Sequence, residues 1–522
     1  MWAVTGPLPS ATARGKALQL EVSALGIAAS CEGADLWAAS RDASVAALPA
    51  KPRLALHPPD LVAWPEDVEQ VAALVRLARA RGVPMVPMGA GTGGSGGAVA
   101  LRGGIVIDTR RLTLPLNIDL PGNSVEVGAG LSGERLEERL AYAGATLGHL
   151  LPAQDPGTVG GWLATRGSGL LSARYGSLSD LVLSLEAVDG AGEILHTLDH
   201  PGAGPDLTQL LLGSEGTLAI LTSARLRIWP RPRERWLRAV RFPSLRDALR
   251  GMRDVLRAGL QPCIVRAHDP LDTLLAGSAP FRIPQPLKWL VDGAQTEALR
   301  LTLRAPLLLN RLVDALPGAS LALFGFEGAE EGDASREGRA ALSICARSGG
   351  EDLGPAKAER WLDSAQRARW SHAPFLAAGA FVETLDVATT WERAEPLLRA
   401  IRRAVEGLAF VRAQFAHAAA EGCALEVKLL GLAGASADTL AHASFEEAEA
   451  DLEEAEERRE IVWAAALAAA ADEGATISHH SGIGASRQVF LRRELGDGIR
   501  QLRALKKAFD PAGILNPGKV LL

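Results

Sequence analysis

Two adjacent histidines stand in the most chemically loaded string of the chain, Ser478-His479-His480-Ser481-Gly482-Ile483-Gly484. Imidazoles between small residues can reach a pocket, where each can carry a proton near neutral pH or hold an anion when charged. The same string also reads as a strand-end pair on the surface, and the string alone leaves both readings open. A second candidate is Arg369 in Arg367-Ala368-Arg369-Trp370. A guanidinium can grip a phosphate or carboxylate with two parallel hydrogen bonds; one helical Arg among several can equally face solvent. The third feature is a loop built almost wholly of glycine, Gly89 to Gly97.

That loop formally matches G-x-G-x-x-G, and Asp108 ends the next strand. A dinucleotide fold, however, needs the last glycine to open a helix whose N-terminus faces the pyrophosphate. Here Ser95-Gly96-Gly97-Ala98 and Gly103-Gly104 follow, too glycine-rich for a helix. Successive backbone N–H groups in glycine-permitted conformations make an anion cradle by themselves. Four more small-residue segments with hydroxyls follow: Pro156 to Gly161, Thr165 to Gly169, Arg174 to Asp180 and Gly213 to Leu218. Their series suggests one long ligand threaded past several loops.

These segments resemble the FAD-binding domain of the vanillyl-alcohol oxidase/p-cresol methylhydroxylase (PCMH) superfamily. Phe509-Asp510-Pro511-Ala512-Gly513-Ile514-Leu515-Asn516-Pro517-Gly518-Lys519 resembles the C-terminal signature of its FAD-linked oxidases. Within the superfamily, Thr158 to Trp162, Thr165-Arg166, Ser168-Gly169 and the His479-His480 string are most similar to the alkyldihydroxyacetonephosphate (alkylglycerone-phosphate) synthase family of ether-lipid synthesis. The resemblance covers roughly residues 55 to 522 and is densest up to Trp229.

The resemblance implies FAD, with its pyrophosphate on Pro87, Met88, Gly89, Ala90, Gly91, Thr92 and Gly93. Pro152, Ala153, Gln154, Asp155, Pro156, Gly157 and Thr158, then Gly161, Thr165, Arg166, Gly167, Ser168 and Tyr175, would line the cofactor further. Glu215, Gly216, Thr217, Leu218, Ala219, Ile220 and Leu221, with Asn516, would complete the set. Relatives that tether FAD use a His or Cys near the glycine loop, and none stands between His57 and His149; the FAD is therefore expected to be non-covalent, with His149 away from the ring. His479, His480 and Arg369 are implied as catalytic. Ser481 replaces the third member of the family's His triplet. The family's catalytic Tyr is missing from Gly422-Cys423-Ala424-Leu425-Glu426-Val427-Lys428-Leu429. Leu425 falls near its position, and strand alternation turns Glu426 and Lys428 to the opposite face.

The implied reaction swaps the acyl group of acyl-dihydroxyacetone phosphate for a fatty alcohol through a flavin adduct, with no net redox change. Two alternatives stand beside it: an FAD-linked oxidase or dehydrogenase of a 2-hydroxy acid or alcohol, and a flavin-binding homologue with lost catalysis. The hydroxy-acid group carries a His-rich metal motif of a kind absent here, so no metal is expected.

The elements that must position these residues follow from composition and periodicity. The chain has 522 residues, 48% hydrophobic and 22% charged, with a formal charge of −6; that balance points away from nucleic acid. Cys31, Cys263, Cys345 and Cys423 are too scattered for a disulfide framework or a CxxC metal site. No apolar run is long enough to span a membrane and no signal peptide is evident, so a cytoplasmic protein with at most peripheral membrane contact is expected. Apolar runs between 275 and 312 suggest a lipid-facing entry, or ordinary helix packing. The partner is expected to be a lipid-like phosphate or carboxylate, and a homodimer is left open.

The fold class expected is α+β: a two-subdomain FAD-binding domain of the PCMH type, an antiparallel-sheet cap, and a C-terminal segment returning to the FAD domain. The divisions are residues 1–54 as a helical arm, 55–232 as the FAD domain, 233–475 as the cap and 476–522 as the returning segment. The break at Trp229-Pro230-Arg231-Pro232-Arg233 sets the second boundary.

Overall fold

The computed structural model describes residues 8–43, 57–150, 156–199, 203–270, 272–273, 300–301, 303–315, 318–367, 373–434 and 445–521. Its strands form three principal sheets. The first contains β1 (Ala28–Ser30), β2 (Leu61–Trp64), β3 (Met85–Met88) and β4 (Ile105–Asp108), in the order β1-β2-β4-β3. β2, β4 and β3 run parallel, and helix Val68–Arg81 makes the crossover between β2 and β3. Asp67 caps that helix by accepting from the Gln70 N–H, and Gly82 ends it at φ 60°, a start and stop already visible in the sequence. Val71, Leu74, Val75 and Ala78 bury the helical stripe in the sheet's core.

The second sheet contains β5 (Leu116–Asp119), β6 (Ser124–Gly128), β8 (Val182–Asp189), β9 (Ile194–His196) and β10 (Ala219–Arg227), all antiparallel, in the order β5-β6-β10-β8-β9. A small pair, β7 (Ala145–Thr146) with β11 (Trp229–Pro230), closes its edge region. The glycine loop joins β3 to β4, so it emerges where the first sheet faces β10.

The third sheet is wholly antiparallel. β12 (Glu234–Phe242), β13 (Ile264–His268), β14 (Ser320–Gly328), β15 (Glu351–Asp352), β16 (Ala380–Thr390), β17 (Phe410–Ala416) and β18 (Gly422–Leu432) lie in the order β15-β12-β14-β13-β17-β18-β16. Leu385, Val387, Phe415, Leu425, Val427 and Leu429 point to one face, in a single core with helices Leu245–Arg257, Asp333–Ala346, Trp391–Ala404 and Phe445–Asp472. Each such side chain contributes about 1.5–3 kcal/mol by leaving water. The alternation therefore forces Asp386, Gln414, Glu426 and Lys428 onto the other face.

One sequence expectation changes. The N-terminal arm is not only helical: after helix Ala13–Ala24 it adds β1, which pairs antiparallel with β2 and covers the sheet's edge. The returning segment carries two helices, Gln488–Leu495 and Gly498–Phe509, separated where Gly496 takes φ 52°. Helices Ala356–Arg367 and Ala373–Ala377 precede β16. Most of the apolar stretch read as an entry over 275–312 lies outside the described residues. No helix among the described residues is long and apolar enough to cross a membrane.

The chain end returns to the first sheet as expected. The Met85 N–H donates to the Ile514 carbonyl at 2.8 Å and the Asn516 N–H to the Met85 carbonyl at 2.7 Å, and Lys519 Nζ reaches the Val99 carbonyl at 2.6 Å.

Candidate active site

A cleft of about 340 Å³ lies between the glycine loop, the segments around the second sheet and the His-bearing C-terminal loop. Pro87, Met88, Gly89, Ala90, Gly91, Thr92 and Gly93 form one wall, and Thr158, Gly161, Thr165, Gly167 and Ser168 another. Glu215, Gly216, Ala219, Ile220 and Leu221 complete it on the β10 side, and His480 with Ser481 closes one end. The loop's shape needs glycine at two places. A Cβ on Gly89 would lie 2.2 Å from Thr158 Oγ1, and Gly91 adopts φ 65°. The long cleft, with backbone and hydroxyl donors along glycine walls, suits a dinucleotide threaded in extended form.

The remaining expected residues have other positions. Pro152, Ala153, Gln154, Asp155 and Arg369 lie outside the described residues. Pro156 and Gly157 precede the cleft wall, and the Gly157 carbonyl accepts from the Gly133 N–H. Arg166 is turned away: its guanidinium donates to the carbonyls of Leu212 and Gln209 and to Gln209 Oε1, holding helix Leu207–Leu211. Tyr175 is corrected likewise. Its hydroxyl donates to Glu327 Oε2 at 2.6 Å, against Trp229, so it ties the FAD domain to the cap. Thr217 Oγ1 donates to the Ser214 carbonyl, and Leu218 sits in the second sheet's core. Asn516 Nδ2 donates to the carbonyls of Gly97 and Glu215, clamping two cleft loops together rather than lining the cleft.

Glu215 acts partly as a clamp too. Its carboxylate accepts the N–H groups of Ile483 at 2.5 Å and Gly484 at 3.0 Å, binding the His-bearing loop to the β10 side. Burial pushes its carboxyl up to about 7 against those hydrogen bonds.

His149 lines the cleft. Its ring lies 4.8 Å from that of Trp162, and its buried Nδ1 has no hydrogen-bond partner. Burial, then His417 and His480, lowers its pKa to about 3. An orphaned polar atom in this wall is the kind of group a bound cofactor satisfies.

At the His480 end, two imidazoles become three. His417, at φ 44° in the turn between β17 and β18, stacks on His479 at 5.3 Å and lies 4.8 Å from His480. His479 Nδ1 and His480 Nδ1 are 2.9 Å apart. Asp386 holds the turn beneath them. Its Oδ2 accepts the backbone N–H groups of His479, His480 and Ser481 at 3.0, 2.8 and 3.1 Å. Burial opposes its charge, but Arg487, His480 and those N–H groups outweigh it and hold the carboxyl below the usual range. Burial first, then the neighbouring imidazoles, lowers His479 to about 4; burial likewise lowers His480. Both rings of the pair are therefore neutral at pH 7.

Glu426 stands beside the trio. The Arg266 guanidinium grips it with two bonds, at 2.8 and 2.9 Å, and His417 Nε2 lies 3.3 Å from Oε1. Burial works against the charge, but Arg266 and His417 hold the carboxyl well below its ordinary value. Two residues on, Lys428 has its pKa lowered by burial and then by Arg412. The alternation of β18 showed that Glu426 and Lys428 share a face; that this face meets the His pair was not readable. His417, Arg266, Asp386 and Arg487 carried no motif and were missed.

A parallel-and-antiparallel pair of sheets around a glycine-walled cleft, closed by a sheet cap bearing proton carriers, defines a flavoenzyme of the oxidase type. Residues 59–198 match the family described as FAD binding domain, and residues 231–520 match FAD linked oxidases, C-terminal domain. The chain belongs to the FAD-linked oxidases: it is an FAD-dependent enzyme of the PCMH-type superfamily. Over 483 residues it is 24% identical to alkyldihydroxyacetonephosphate synthase of Trypanosoma brucei brucei, covering 89% of this chain and 73% of that protein. Over 482 residues it is 28% identical to a probable mitochondrial D-lactate dehydrogenase of Danio rerio, covering 89% and 85%. A solved structure of alkyldihydroxyacetonephosphate synthase is similar with a TM-score of 0.73 at 21% identity, over 98% of this chain and 87% of that one; this likeness shows the fold.

Proposed function

We propose that this enzyme exchanges the acyl group of an acyl-dihydroxyacetone phosphate for a fatty alcohol, releasing the fatty acid, with no net redox change. The observation that carries the reading is the imidazole trio at the end of the cleft. The synthase family's His triplet is broken in sequence at Ser481, and His417 supplies a third imidazole from the β17–β18 turn. FAD, held non-covalently along Pro87 to Gly93, Thr158 to Ser168 and Glu215 to Leu221, would supply an electrophilic ring for the three-carbon unit. His479 and His480, neutral at pH 7, can take a proton from the substrate carbon or the entering alcohol and return it to the leaving group. Glu426 stays ionised in its Arg266 grip, so it orients His417 and stabilises it when charged. Asp386 fixes the turn that aims the pair.

A second reading has its own observation. His417, Glu426 and His480 offer ligand atoms all within 4.8 Å of one another, a set able to hold a divalent metal, and a D-lactate dehydrogenase is among the relatives. A metal-assisted hydroxy-acid dehydrogenase would use such a set. The fork of Arg266 on both Glu426 oxygens disfavours a dication there, which places this reading second.

One experiment separates them. The purified holoenzyme is mixed anaerobically with acyl-dihydroxyacetone phosphate and a fatty alcohol, or with D-lactate. Ether-linked product without any electron acceptor supports the exchange. Flavin bleaching by D-lactate, with stoichiometric metal in the protein, supports the dehydrogenase. If neither occurs, catalysis by these residues has been lost.

A further inference from the structure

We propose that Lys428, with Thr384 beside it, forms the position that holds the anionic end of the substrate, taking the phosphate of a three-carbon phosphate ester. This rests on the substrate class put forward above. Lys428 lies two residues after Glu426 on β18, so both point to the polar face, roughly 7 Å apart by strand rise. In register, Arg412 of β17 stands opposite Lys428 on one side and Thr384 of β16 on the other.

The carboxylates of this face are already engaged. Glu426 holds the Arg266 fork and His417. Asp272 receives Arg412, Gln414 Nε2 at 2.6 Å, and His268 Nδ1 at 2.6 Å. Among the described residues, Lys428 makes no hydrogen bond and no salt bridge. Asp386, on the same face, is held by Arg487; four cations, Arg266, Arg412, Arg487 and Lys428, therefore meet three carboxylates, and the cation left over is the partly buried one with arginines close by. Asp272 and Glu426 favour its charge from a distance, but burial and Arg412 outweigh them; an ammonium with no direct partner is costly to take from water, and an incoming anion relieves that cost. The His pair cannot serve as the counter-cation, because both rings are neutral at pH 7. Thr384 is exposed, so the face is open at this row and a hydroxyl donor stands next to the ammonium. A phosphate suits this pair through several oxygens at once.

The test titrates the holoenzyme with dihydroxyacetone phosphate and with uncharged dihydroxyacetone, reading the flavin difference spectrum. Lys428→Met is expected to weaken dihydroxyacetone phosphate about 10- to 100-fold, the range for a charge-assisted contact, with dihydroxyacetone and FAD content unchanged. Lys428→Arg is expected to restore most of the affinity, which a merely structural lysine would not require. Unchanged affinity in Lys428→Met overturns the proposal, as does a loss seen with Arg369→Ala alone. Tight, Lys428-dependent binding without ether-product formation keeps the subsite and rejects the exchange reaction. A wild-type enzyme whose spectrum responds to D-lactate and not to dihydroxyacetone phosphate overturns the phosphate assignment.

Discussion

Asp386 Oδ1 and Arg487 Nη2 lie 2.6 Å apart, with both side chains almost fully buried. The pair joins the cap sheet to the C-terminal segment directly under the His-bearing turn. Asp386 uses its other oxygen for three consecutive backbone N–H groups, so one carboxylate fixes both the charge partner and the turn.

Asp386→Asn is therefore expected to cost about 3–5 kcal/mol of stability, since it strands a buried guanidinium. Urea unfolding followed by tryptophan fluorescence checks it. A loss under 1 kcal/mol would show that the turn stands without the carboxylate.

Replacing Glu426 by Gln should lower kcat by about 10- to 100-fold, the usual weight of a carboxylate that orients a working imidazole, with FAD content intact. His417 loses its carboxylate partner and Arg266 loses its counter-charge. Steady-state kinetics with flavin quantitation measure this; unchanged kcat would remove Glu426 from the site.

Stability should fall on the acid side. Burial lowers His149 to about 3 and His479 to about 4, whereas an unfolded imidazole titrates near 6.5. Between those values the folded chain binds fewer protons than the unfolded one, so this stabilisation is complete above about pH 6.5 and is lost as pH falls. His149→Gln should flatten the slope by about 1.4 kcal/mol per pH unit between pH 4 and 6. Melting temperatures from pH 4 to 8 read it, and an unchanged slope would mean that His149 does not stay neutral in the fold.

Gly89→Val should abolish FAD binding. The first added carbon already meets Thr158 Oγ1 at 2.2 Å, and the loop must shift to accept it. Absorbance at the flavin band of the purified variant checks this; a fully yellow variant would contradict the cradle.

Acid precipitation of the wild type should release all yellow colour into the supernatant. Colour left in the pellet would mean a covalent flavin, and His149, lining the cleft with a free Nδ1, would be the first residue to examine by peptide mapping.

Much of this was local enough to read from sequence. Asp67 and Gly82 mark the crossover helix, glycine content alone excludes a dinucleotide helix after Gly94, and the alternation of β18 puts Glu426 and Lys428 opposite Leu425. Each depends on backbone conformation or side-chain period, which neighbouring residues determine. The fold class was legible for the same reason, since motif-bearing loops and strand periods are local properties. The third imidazole was not legible. His417 meets His479 and His480 only because the hairpin of β17 and β18 brings it across the sheet to a loop 62 positions later in the chain, and no period encodes that distance. Arg166 and Tyr175 looked like cofactor residues because they stand among residues that line the cleft. Packing turned their side chains to Gln209 and Glu327, where buried carbonyl and carboxylate oxygens needed donors. Long-range satisfaction of buried polar groups, rather than local pattern, decided which motif residues face the cleft.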